Sequence, residues 1–430
     1  MTVAKLAVAK MARITLLTVG SRGDVQPFCA IARQLIARGH DVTLATSFNF
    51  ANFVTQQDID FAPIAGDFKQ LLSSPEGLEL LEGNTSVNLI SDDLLWQQLS
   101  DAWRACQDAE LLVFSPLALW GYHIAEALGI PAILASSVPV AATKEFPFLQ
   151  FASERTDSWV KGKLNRLSYQ LVGILGWRRK AEITNRFRTE VLNLSKLPWL
   201  GARYRKDPPP FLSKLPVIHL FSESAIATPS DWNANVHQVG FCFLDTATDF
   251  KPGPALQEFL NKSPRPFYVG LGSMISRNPN QLARTILLAL EKAGQRAIFC
   301  SGWGDIKQTD LPSSVYLLEK VPHDWLFPQV AAAIHHGGAG TTAATLRAGI
   351  PSIVVSFFAD QPIWGKLLEK LGVSPATHPQ SELNSNELAA SLRALVENVR
   401  FRAQSQRLQS QIQNENGAEE AAKVIESYLS

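Results

Sequence analysis

A glycine-rich turn between an apolar run and a helical stretch is the strongest candidate for anion binding in the sequence. Residues 335–342 read HHGGAGTT. The glycines let a ligand approach the backbone closely, and a helix beginning at Thr341 or Thr342 offers unpaired N–H groups and a positive dipole end. Thr341 and the imidazole of His336 add donors, so this segment, the diphosphate turn, is predicted to bind a diphosphate without a metal. The simpler alternative is a tight turn that Thr341 caps.

A carboxylate and an amide follow the next apolar run. Residues 352–358 read SIVVSFF and lead into Asp360 and Gln361, at the sheet edge expected to carry the diphosphate turn. A neighbouring carboxylate and amide accept and donate hydrogen bonds, which suits the vicinal hydroxyls of a sugar. The pair is predicted to bind a sugar, and the alternative is a cap for the helix starting at Pro362.

A third candidate lies near the amino terminus. Residues 20–28 read GSRGDVQPF and place Asp24 at the start of a helix. This is not the GxGxxG fingerprint, so a nicotinamide enzyme is disfavoured. Asp24 is predicted to act as a general base on an acceptor hydroxyl, and the alternative is an N-cap aspartate.

Two weaker signals stand at other strand ends. The segment 270–274 reads GLGSM and supplies a second glycine-rich turn, while 301–304 reads SGWG. Trp303 in the latter could stack on a nucleotide base or belong to the core. Both segments face the same cleft if the chain folds as two similar halves.

Neither the acidic nor the sulfur-containing residues form a metal-binding pattern. Asp58 and Asp60 spell a DxD motif, but they lie far in sequence from the diphosphate turn. The adjacent His335 and His336 have poor geometry for zinc. The four cysteines are widely separated and include no CxxC pair, as expected of free thiols. The sequence therefore predicts neither metal nor cofactor, with a nucleotide-sugar as co-substrate.

Short apolar runs alternate with helix-length amphipathic stretches throughout the chain. Such runs suit parallel strands buried on both faces, joined by helical crossovers. The runs are 12–20, 40–47, 110–116, 130–137 and 215–222, then 265–273, 296–302, 314–321, 331–338 and 352–358. The pattern predicts an α/β protein with two Rossmann-like domains facing a central cleft.

The pattern also sets the expected domain bounds. Residues 12–240 are assigned to an N-terminal, acceptor-binding domain and 241–415 to a C-terminal, nucleotide-sugar-binding domain. Residues 416–430 are assigned to a helix that returns to the N-terminal domain. A ligand cleft is expected between the two halves.

Composition excludes several classes of protein. At 430 residues and 46% hydrophobic content the chain can build two or three packed domains. A net charge of +1 argues against nucleic-acid binding. No apolar run reaches the ~20 residues of a membrane span, and residues 1–11 do not resemble a signal peptide. A cytoplasmic protein is expected, either free or peripheral on a membrane.

One segment is strongly basic. Residues 151–210 contain 13 Lys or Arg against 5 Asp or Glu, together with Trp159, Trp177 and Trp199. A basic, aromatic, helical segment can lie on an anionic membrane surface. The alternative is a solvated helical lid over the N-terminal domain.

In these motifs the sequence resembles the sterol 3-β-glucosyltransferases and their bacterial glycopeptide and macrolide relatives. The matching segments run from about residue 12 to 375, in order: GSRGDVQPF, RGHDVTLAT, FAPIAGD, PSDW, VGLGSM, SGWG, HHGGAGTT, LRAGIPS and FFADQP. One departure is Ala359, where the family usually has glycine before the Asp-Gln pair.

The resemblance implies a GT-B fold, an inverting mechanism and no metal. Matched by position, it makes Asp24 the base, with Ser21 and Arg22 on the acceptor side. The donor-side residues that it implies are Ser273, Trp303, Val321, His336, Gly338, Gly340, Thr341, Asp360 and Gln361.

Together these features predict transfer of a hexose, from UDP-glucose or a related UDP-sugar, to an apolar hydroxylated acceptor such as a sterol. The alternatives are a glycosyltransferase for a soluble polyketide, terpenoid or flavonoid, a nucleotide-sugar epimerase, and a non-catalytic nucleotide-sugar binder.

Overall fold

The computed structural model describes residues 11–81, 87–156, 158–201, 215–245, 250–272, 278–300, 308–319 and 321–429. Ser273 and Trp303 are not in these ranges, so the predictions for these two residues lie outside the described part of the chain. The described chain forms two parallel β-sheets, of seven and six strands.

The N-terminal sheet has the strand order β3-β2-β1-β4-β5-β6-β7. Its strands are β1 Arg13–Leu17, β2 Asp41–Ser47, β3 Asp60–Ile64, β4 Leu111–Phe114, β5 Ala132–Ser136, β6 Val217–His219 and β7 Val236–Gln238. The register pairs Leu16 with Leu44 of β2 and with Val113 of β4. Its helices are α1 Arg22–Ala37, α2 Ala51–Thr55, α3 Phe68–Ser73, α4 Pro75–Leu81, α5 Asp92–Ala105, α6 Gly121–Leu128 and α7 Trp159–Glu190.

The C-terminal sheet has the order β10-β9-β8-β11-β12-β13. Its strands are β8 Phe267–Gly270, β9 Ala297–Cys300, β10 Val315–Leu318, β11 Ala333–His335, β12 Ser352–Ser356 and β13 Thr377–Pro379. The helices that follow β7 are α8 Pro254–Asn261, α9 Pro279–Lys292, α10 His323–Leu326, α11 Ala339–Ala348, α12 Gln361–Lys370, α13 Ser385–Glu397, α14 Val399–Ile412 and α15 Gly417–Glu426.

Both sheets are buried on their two faces. In β1, Leu16 belongs to the core that includes α1, while Leu17 belongs to the core on the other face. In β8, Val269 and Tyr268 likewise belong to two different cores on opposite faces of the sheet. Alternating residues of a strand point to opposite faces, so two apolar layers require the continuous apolar runs seen in the sequence. The predicted α/β class with two Rossmann-like domains is confirmed.

The strand order reverses direction at one place in each sheet, between β1 and β4 and between β8 and β11. In doubly wound sheets the loops at the carboxyl ends of such strands diverge to opposite faces and leave a crevice that binds ligands. The loop after β1 leads to Asp24, and the loop after β11 is the diphosphate turn. Both candidate segments therefore lie at the position where doubly wound sheets in general bind ligands.

The ten predicted apolar runs all form strands, and three further strands do not stand out as such runs. These are β3, β7 and β13, each at the edge of its sheet. Their side chains are mostly exposed or half-buried, so they lack the long apolar run of a central strand.

The chain crosses between the halves twice, and the crossings touch. The first crossing follows Gly240, and the second precedes α15. A Cβ added to Gly417 would lie 2.7 Å from the carbonyl carbon of Gly240. After the second crossing, Ala421 and Ile425 of α15 pack in the core that includes α1.

An apolar cluster also joins the halves. The ring of Phe151 meets that of Trp364 edge to face, with centroids 5.1 Å apart. Phe221 of the first half and Leu346 of the second belong to the same cluster. Trp364 is fully buried there, so each half contributes to a shared core.

Helix α7 connects β5 to β6 and is held by a buried ion pair. Arg188 Nη1 donates to Glu126 Oε2 at 2.7 Å, and the side chains are 0% and 3% exposed. Nη1 also lies 3.1 Å from Nδ1 of His123, whose pKa is lowered to about 3 by burial and by the charge of Arg188. The imidazole is therefore neutral. Of the helices in the described ranges, none is long and apolar enough to cross a bilayer.

We expect Arg188→Met to destabilise the protein by about 3–5 kcal/mol, because it leaves the Glu126 carboxylate buried without its partner. The matched control is Arg186→Met, two residues away in α7, where Arg186 is exposed and pairs with Glu190. That variant should cost about 0–1 kcal/mol. Urea unfolding followed by circular dichroism measures both, and equal losses in the two variants would contradict the assignment.

Candidate active site

The Asp24 carboxylate is fixed by a capping box at the start of α1. Ser21 is the N-cap residue, and its backbone N and Oγ donate to Asp24 Oδ2 at 2.8 and 2.9 Å. Asp24 is thus the third residue of the helix, and the prediction that it could be the N-cap itself is wrong. Both bonds reach Oδ2, so the box orients the carboxylate through one of its oxygens.

The loop before Asp24 leaves no space for a side chain. Gly20 has φ +133°, and a Cβ there would lie 2.5 Å from Asp24 Oδ2 and 2.9 Å from Cδ1 of Leu117. Burial raises the pKa of Asp24, although the hydrogen bonds from Ser21 oppose that shift. A desolvated carboxylate is a stronger base than one in water.

The diphosphate turn presents a helix start with no side-chain cap. Helix α11 begins at Ala339, with Gly338 as the N-cap residue and no capping hydrogen bond from a side chain. The predicted start at Thr341 or Thr342 is therefore wrong, as is the alternative that Thr341 caps the helix. The first N–H groups of α11 remain oriented toward the turn, which is the arrangement that binds anions.

The two histidines before the turn have different environments. His335 is fully buried, and its Nδ1 accepts from the Gly337 N–H at 3.1 Å, so it holds the turn in shape. His336 is partly exposed, and among the described residues its buried Nδ1 has no hydrogen-bond partner. Burial lowers the pKa of His336 to about 4, so this imidazole is neutral near pH 7.

The His336 ring fits between two backbone segments that must lack side chains. A Cβ on Gly272 would lie 2.9 Å from Cε1 of His336, and one on Gly338 would overlap Nε2. Gly272 follows β8 and has φ +62°. The two glycine-rich turns found in the sequence therefore meet around one imidazole.

Asp360 and Gln361 follow β12 but have unequal roles. Asp360 occupies the N-cap position of α12 without making a capping bond, and its Oδ2 accepts from Trp364 Nε1 at 2.9 Å. The Gln361 side chain is buried, and its Oε1 accepts from the Phe357 N–H at 2.9 Å. The Asp360 side chain thus does not cap the helix, and the oxygen of Gln361 is engaged in holding the loop.

The candidate groups of the two halves face one another. Burial and the nearby charge of Asp24 raise the pKa of Asp360 to about 6. A Cβ on Gly340 would lie 3.7 Å from Cα of Gly23, so the starts of α1 and α11 are close. The cleft therefore places two carboxylates from different domains beside a helix start that can bind an anion.

Exposed apolar side chains and an arginine follow the strands β1, β2 and β4 of the N-terminal sheet. Leu117 and Leu119, after β4, are 49% and 55% exposed, and Phe48, after β2, is 54% exposed. Arg22 lies over the ring of Phe53, 4.7 Å from its centroid, and its Nε donates to Gln26 at 3.2 Å. The surface beside Asp24 can thus contact an apolar molecule.

Two further predicted donor-side residues, Val321 and Thr341, are at least partly buried. Val321 is 7% exposed and packs in the apolar core beside Leu326, while Thr341 lies half-buried in the first turn of α11. In the described residues no group of three His, Cys, Asp or Glu side chains could hold a metal ion.

Two family models match the two halves of the chain. Residues 14–147 match the glycosyltransferase family 28 N-terminal domain. Residues 304–427 match the C-terminal domain of erythromycin biosynthesis protein CIII-like proteins. The first range contains Asp24 and the second contains the diphosphate turn.

Comparison over nearly the whole chain finds sterol 3-beta-glucosyltransferases among its relatives. A sterol 3-beta-glucosyltransferase of Arabidopsis thaliana is 33% identical over 431 residues, covering 97% of this chain and 68% of the plant protein. The chain belongs to the sterol 3-beta-glucosyltransferase family. A member of this glycosyltransferase enzyme family from Emericella nidulans is 36% identical over 435 residues. This chain spans 30% of that fungal protein. The resemblance found in the motifs is confirmed.

Solved structures of bacterial glycosyltransferases share the fold. The glycotransferase of kitacinnamycin superposes with a TM-score of 0.69 at 17% identity, covering 98% of this chain and 100% of that one. The Streptomyces glycosyltransferase SsfS6 in complex with thymidine diphosphate gives 0.59 at 18% identity, covering 97% and 99%. The predicted GT-B fold is confirmed.

The departure from the family motif coincides with an unusual backbone conformation. Ala359, where the family usually has glycine, has φ +58° and is exposed. A side chain in this left-handed region costs about 1–2 kcal/mol, which explains the preference for glycine before the Asp-Gln pair.

We expect Ala359→Gly to leave stability unchanged or raise it by up to about 1 kcal/mol, because relief of the left-handed strain offsets the entropy that glycine loses on folding. The control is Ala403→Gly, at an exposed position in the interior of α14. It should lower stability by about 1 kcal/mol. Urea unfolding of both variants measures the difference, and a loss at Ala359 as large as at Ala403 would contradict the strain.

Proposed function

We propose that the protein transfers glucose from UDP-glucose to the hydroxyl of a lipophilic acceptor such as a sterol, with inversion at the anomeric carbon and without a metal. The observation that carries this proposal is the placement of Asp24, from one domain, beside Asp360 and the diphosphate turn of the other. The names of the plant and fungal relatives support the sugar and the acceptor class.

In the proposed reaction Asp24 is the general base. It accepts the proton of the acceptor hydroxyl while that oxygen forms a bond to the anomeric carbon, and the bond from that carbon to the nucleotide diphosphate breaks. The single displacement converts an α-linked donor to a β-product. The capping bonds from Ser21 fix the carboxylate in place, and its raised pKa increases its basicity.

The diphosphate turn stabilises the departing nucleotide. The negative charge of the departing diphosphate is stabilised by the first N–H groups of α11. The neutral ring of His336 donates one further N–H to it. The complex of SsfS6 with thymidine diphosphate supports a nucleotide diphosphate as ligand. Asp360 then binds sugar hydroxyls through the carboxylate that Trp364 orients.

The acceptor proposal rests on the apolar side of the cleft. Leu117 lies beside Gly20 and Asp24. Phe48 and Leu119 are exposed after β2 and β4, the two strands that flank β1 in the sheet. We further propose that the basic segment 151–210 brings the protein to an anionic membrane surface, where such acceptors reside.

One assay distinguishes the proposed activity from its alternatives. The protein is incubated with UDP-glucose alone, then with a sterol and with a flavonoid, and the products are analysed by mass spectrometry and NMR. A β-glucoside of the sterol supports the proposal. A glucoside of the flavonoid alone indicates a soluble acceptor, while an epimerised sugar or mere binding rejects transfer.

We expect Asp24→Asn to lower turnover about 10²–10⁴-fold with donor binding retained, because it removes the base. The amide oxygen still accepts from Ser21, so α1 keeps its cap. In the unmodified protein, kcat/KM should fall at acid pH as Asp24 becomes protonated. The apparent pKa of that fall should lie above the usual range of an aspartate, because burial raises the pKa of Asp24.

Ser21→Ala is the matched control for Asp24→Asn. It removes the two bonds of the Ser21 hydroxyl, which costs about 1 kcal/mol of stability. The Ser21 backbone N–H still donates to the Asp24 carboxylate, so most of the turnover should remain. Near-normal turnover of a folded Asp24→Asn protein would reject Asp24 as the base and leave it as a capping residue.

We expect His336→Ala to weaken UDP binding about tenfold to 100-fold, because a hydrogen bond to the charged diphosphate contributes about 1.5–3 kcal/mol. Isothermal titration calorimetry measures the change, with His237→Ala, remote from the turn and beside Tyr428, as control.

EDTA should leave turnover unchanged. Turnover that is lost in EDTA and returns on adding a divalent metal would overturn the metal-free proposal.

A further inference from the structure

The outer face of α7 carries a row of exposed apolar side chains. Their spacing of three or four residues places them on one side of the helix. These residues, the leucine stripe, are Val160 (59% exposed), Leu164 (59%), Leu167 (43%), Leu171 (50%) and Leu175 (58%). At ~1.5 Å per residue the stripe is about 22 Å long. A surface helix normally turns such a face toward its own core, so the stripe requires a covering partner.

Basic residues accompany the stripe along α7. Between Trp159 and Ala181 the helix has no acidic residue, and its basic residues are Lys161, Lys163, Arg166, Arg178, Arg179 and Lys180. Arg166 pairs with Asp231, and Lys180 is half-buried. Lys163 Nζ lies 3.6 Å from the centre of the Trp159 ring, and the guanidinium of Arg178 lies 3.3 Å from that of Trp199. Trp159 and Trp199 are 72% and 68% exposed. Each end of the stripe thus combines a cation with an exposed indole.

We propose that the leucine stripe is the face by which this protein docks on a bilayer containing anionic lipids. Leucines enter the boundary between headgroups and acyl chains, indoles lie at the headgroup level, and lysines and arginines meet anionic headgroups. A second copy of α7 is the other possible occupant of an apolar stripe. It would bring Lys161, Lys163 and Arg178 close to the same residues of the other copy, with no acidic residue of either helix beside the stripe, which is unfavourable.

The structure narrows the segment expected from the sequence. Trp177, which was part of the basic aromatic region 151–210, is turned toward the domain. Its Nε1 donates to the Pro198 carbonyl at 3.1 Å, and its ring lies 6.0 Å from that of His123. Trp177 therefore holds the helix in place, and the docking face is limited to the stripe and the two exposed indoles.

Both ends of α7 are fixed, so the stripe is a rigid surface. Near its start, Asn165 Nδ2 donates to the Lys144 carbonyl at 2.7 Å, and near its end Arg188 pairs with Glu126. Lys144 belongs to the loop after β5, and the same loop reaches the second domain where Lys370 Nζ donates to the Ser153 carbonyl at 3.0 Å. Docking through the stripe therefore fixes the orientation of the cleft relative to the membrane.

The consequence for catalysis rests on the proposed function: a sterol-like acceptor leaves the bilayer beside the amino end of α7 and enters the cleft. The probe is the full chain with vesicles of phosphatidylcholine, with and without phosphatidylserine, at low and high salt. We expect sedimentation with the anionic vesicles at low salt, and a marked loss of binding at high salt.

The decisive variant combines Leu164→Gln, Leu167→Gln, Leu171→Gln and Leu175→Gln. Glutamine has nearly the helix propensity of leucine, so α7 persists, which circular dichroism verifies. Vesicle binding should fall at least about tenfold. The control combines Leu288→Gln and Val396→Gln, two exposed apolar positions of the second domain that are 44% and 51% exposed, and should bind normally.

Turnover of UDP-glucose with a detergent-solubilised sterol separates docking from chemistry. Loss of vesicle binding with unchanged turnover on the solubilised sterol supports the proposal. Unmodified protein that stays in the supernatant with every vesicle and salt, or a stripe variant that binds as well as the control, overturns it. A dimer of the unmodified protein that the stripe variant abolishes also overturns it, in favour of self-association. Vesicle binding without transfer to any acceptor rejects the proposed function and leaves docking intact.

Discussion

Two carboxylates from different halves of the chain, Asp24 and Asp360, are desolvated in one cleft and act on each other electrostatically. Like charges in a medium of low dielectric oppose each other's ionisation, and burial adds to the effect. Each carboxylate is therefore held by local hydrogen bonds, from Ser21 and from Trp364 respectively. In each case the donor lies within four residues of the carboxylate, so each half orients its own carboxylate through local bonds.

The fold was largely predictable because its central strands are buried on both faces. Runs such as 110–116 must be apolar throughout, and this makes them recognisable without a structure. The edge strands β3, β7 and β13 have one neighbouring strand each, and their mixed burial gives no continuous run. These strands can be recognised from their pairing in the sheet but not from their own residues.

Some local contacts of the candidate site have a signal in the sequence, whereas the contacts between distant segments do not. The capping box of Ser21 and Asp24 and the bond from Trp364 to Asp360 span three and four residues, so a local signal for them exists in the sequence. The enclosure of His336 by Gly272 and Gly338 has no such signal, because Gly272 comes from another strand of the sheet. The neutral state of His336 follows from this enclosure and could not be read from the motif HHGG alone.

The two contacting chain crossings, at Gly240 and before Gly417, restrict how the halves can move. The shared apolar cluster, in which the ring of Phe151 meets that of Trp364, joins the halves at a second place. A displacement of one half against the other would have to disturb the crossings or this cluster. The position of the start of α1 against the start of α11 therefore depends on contacts beyond the candidate residues themselves.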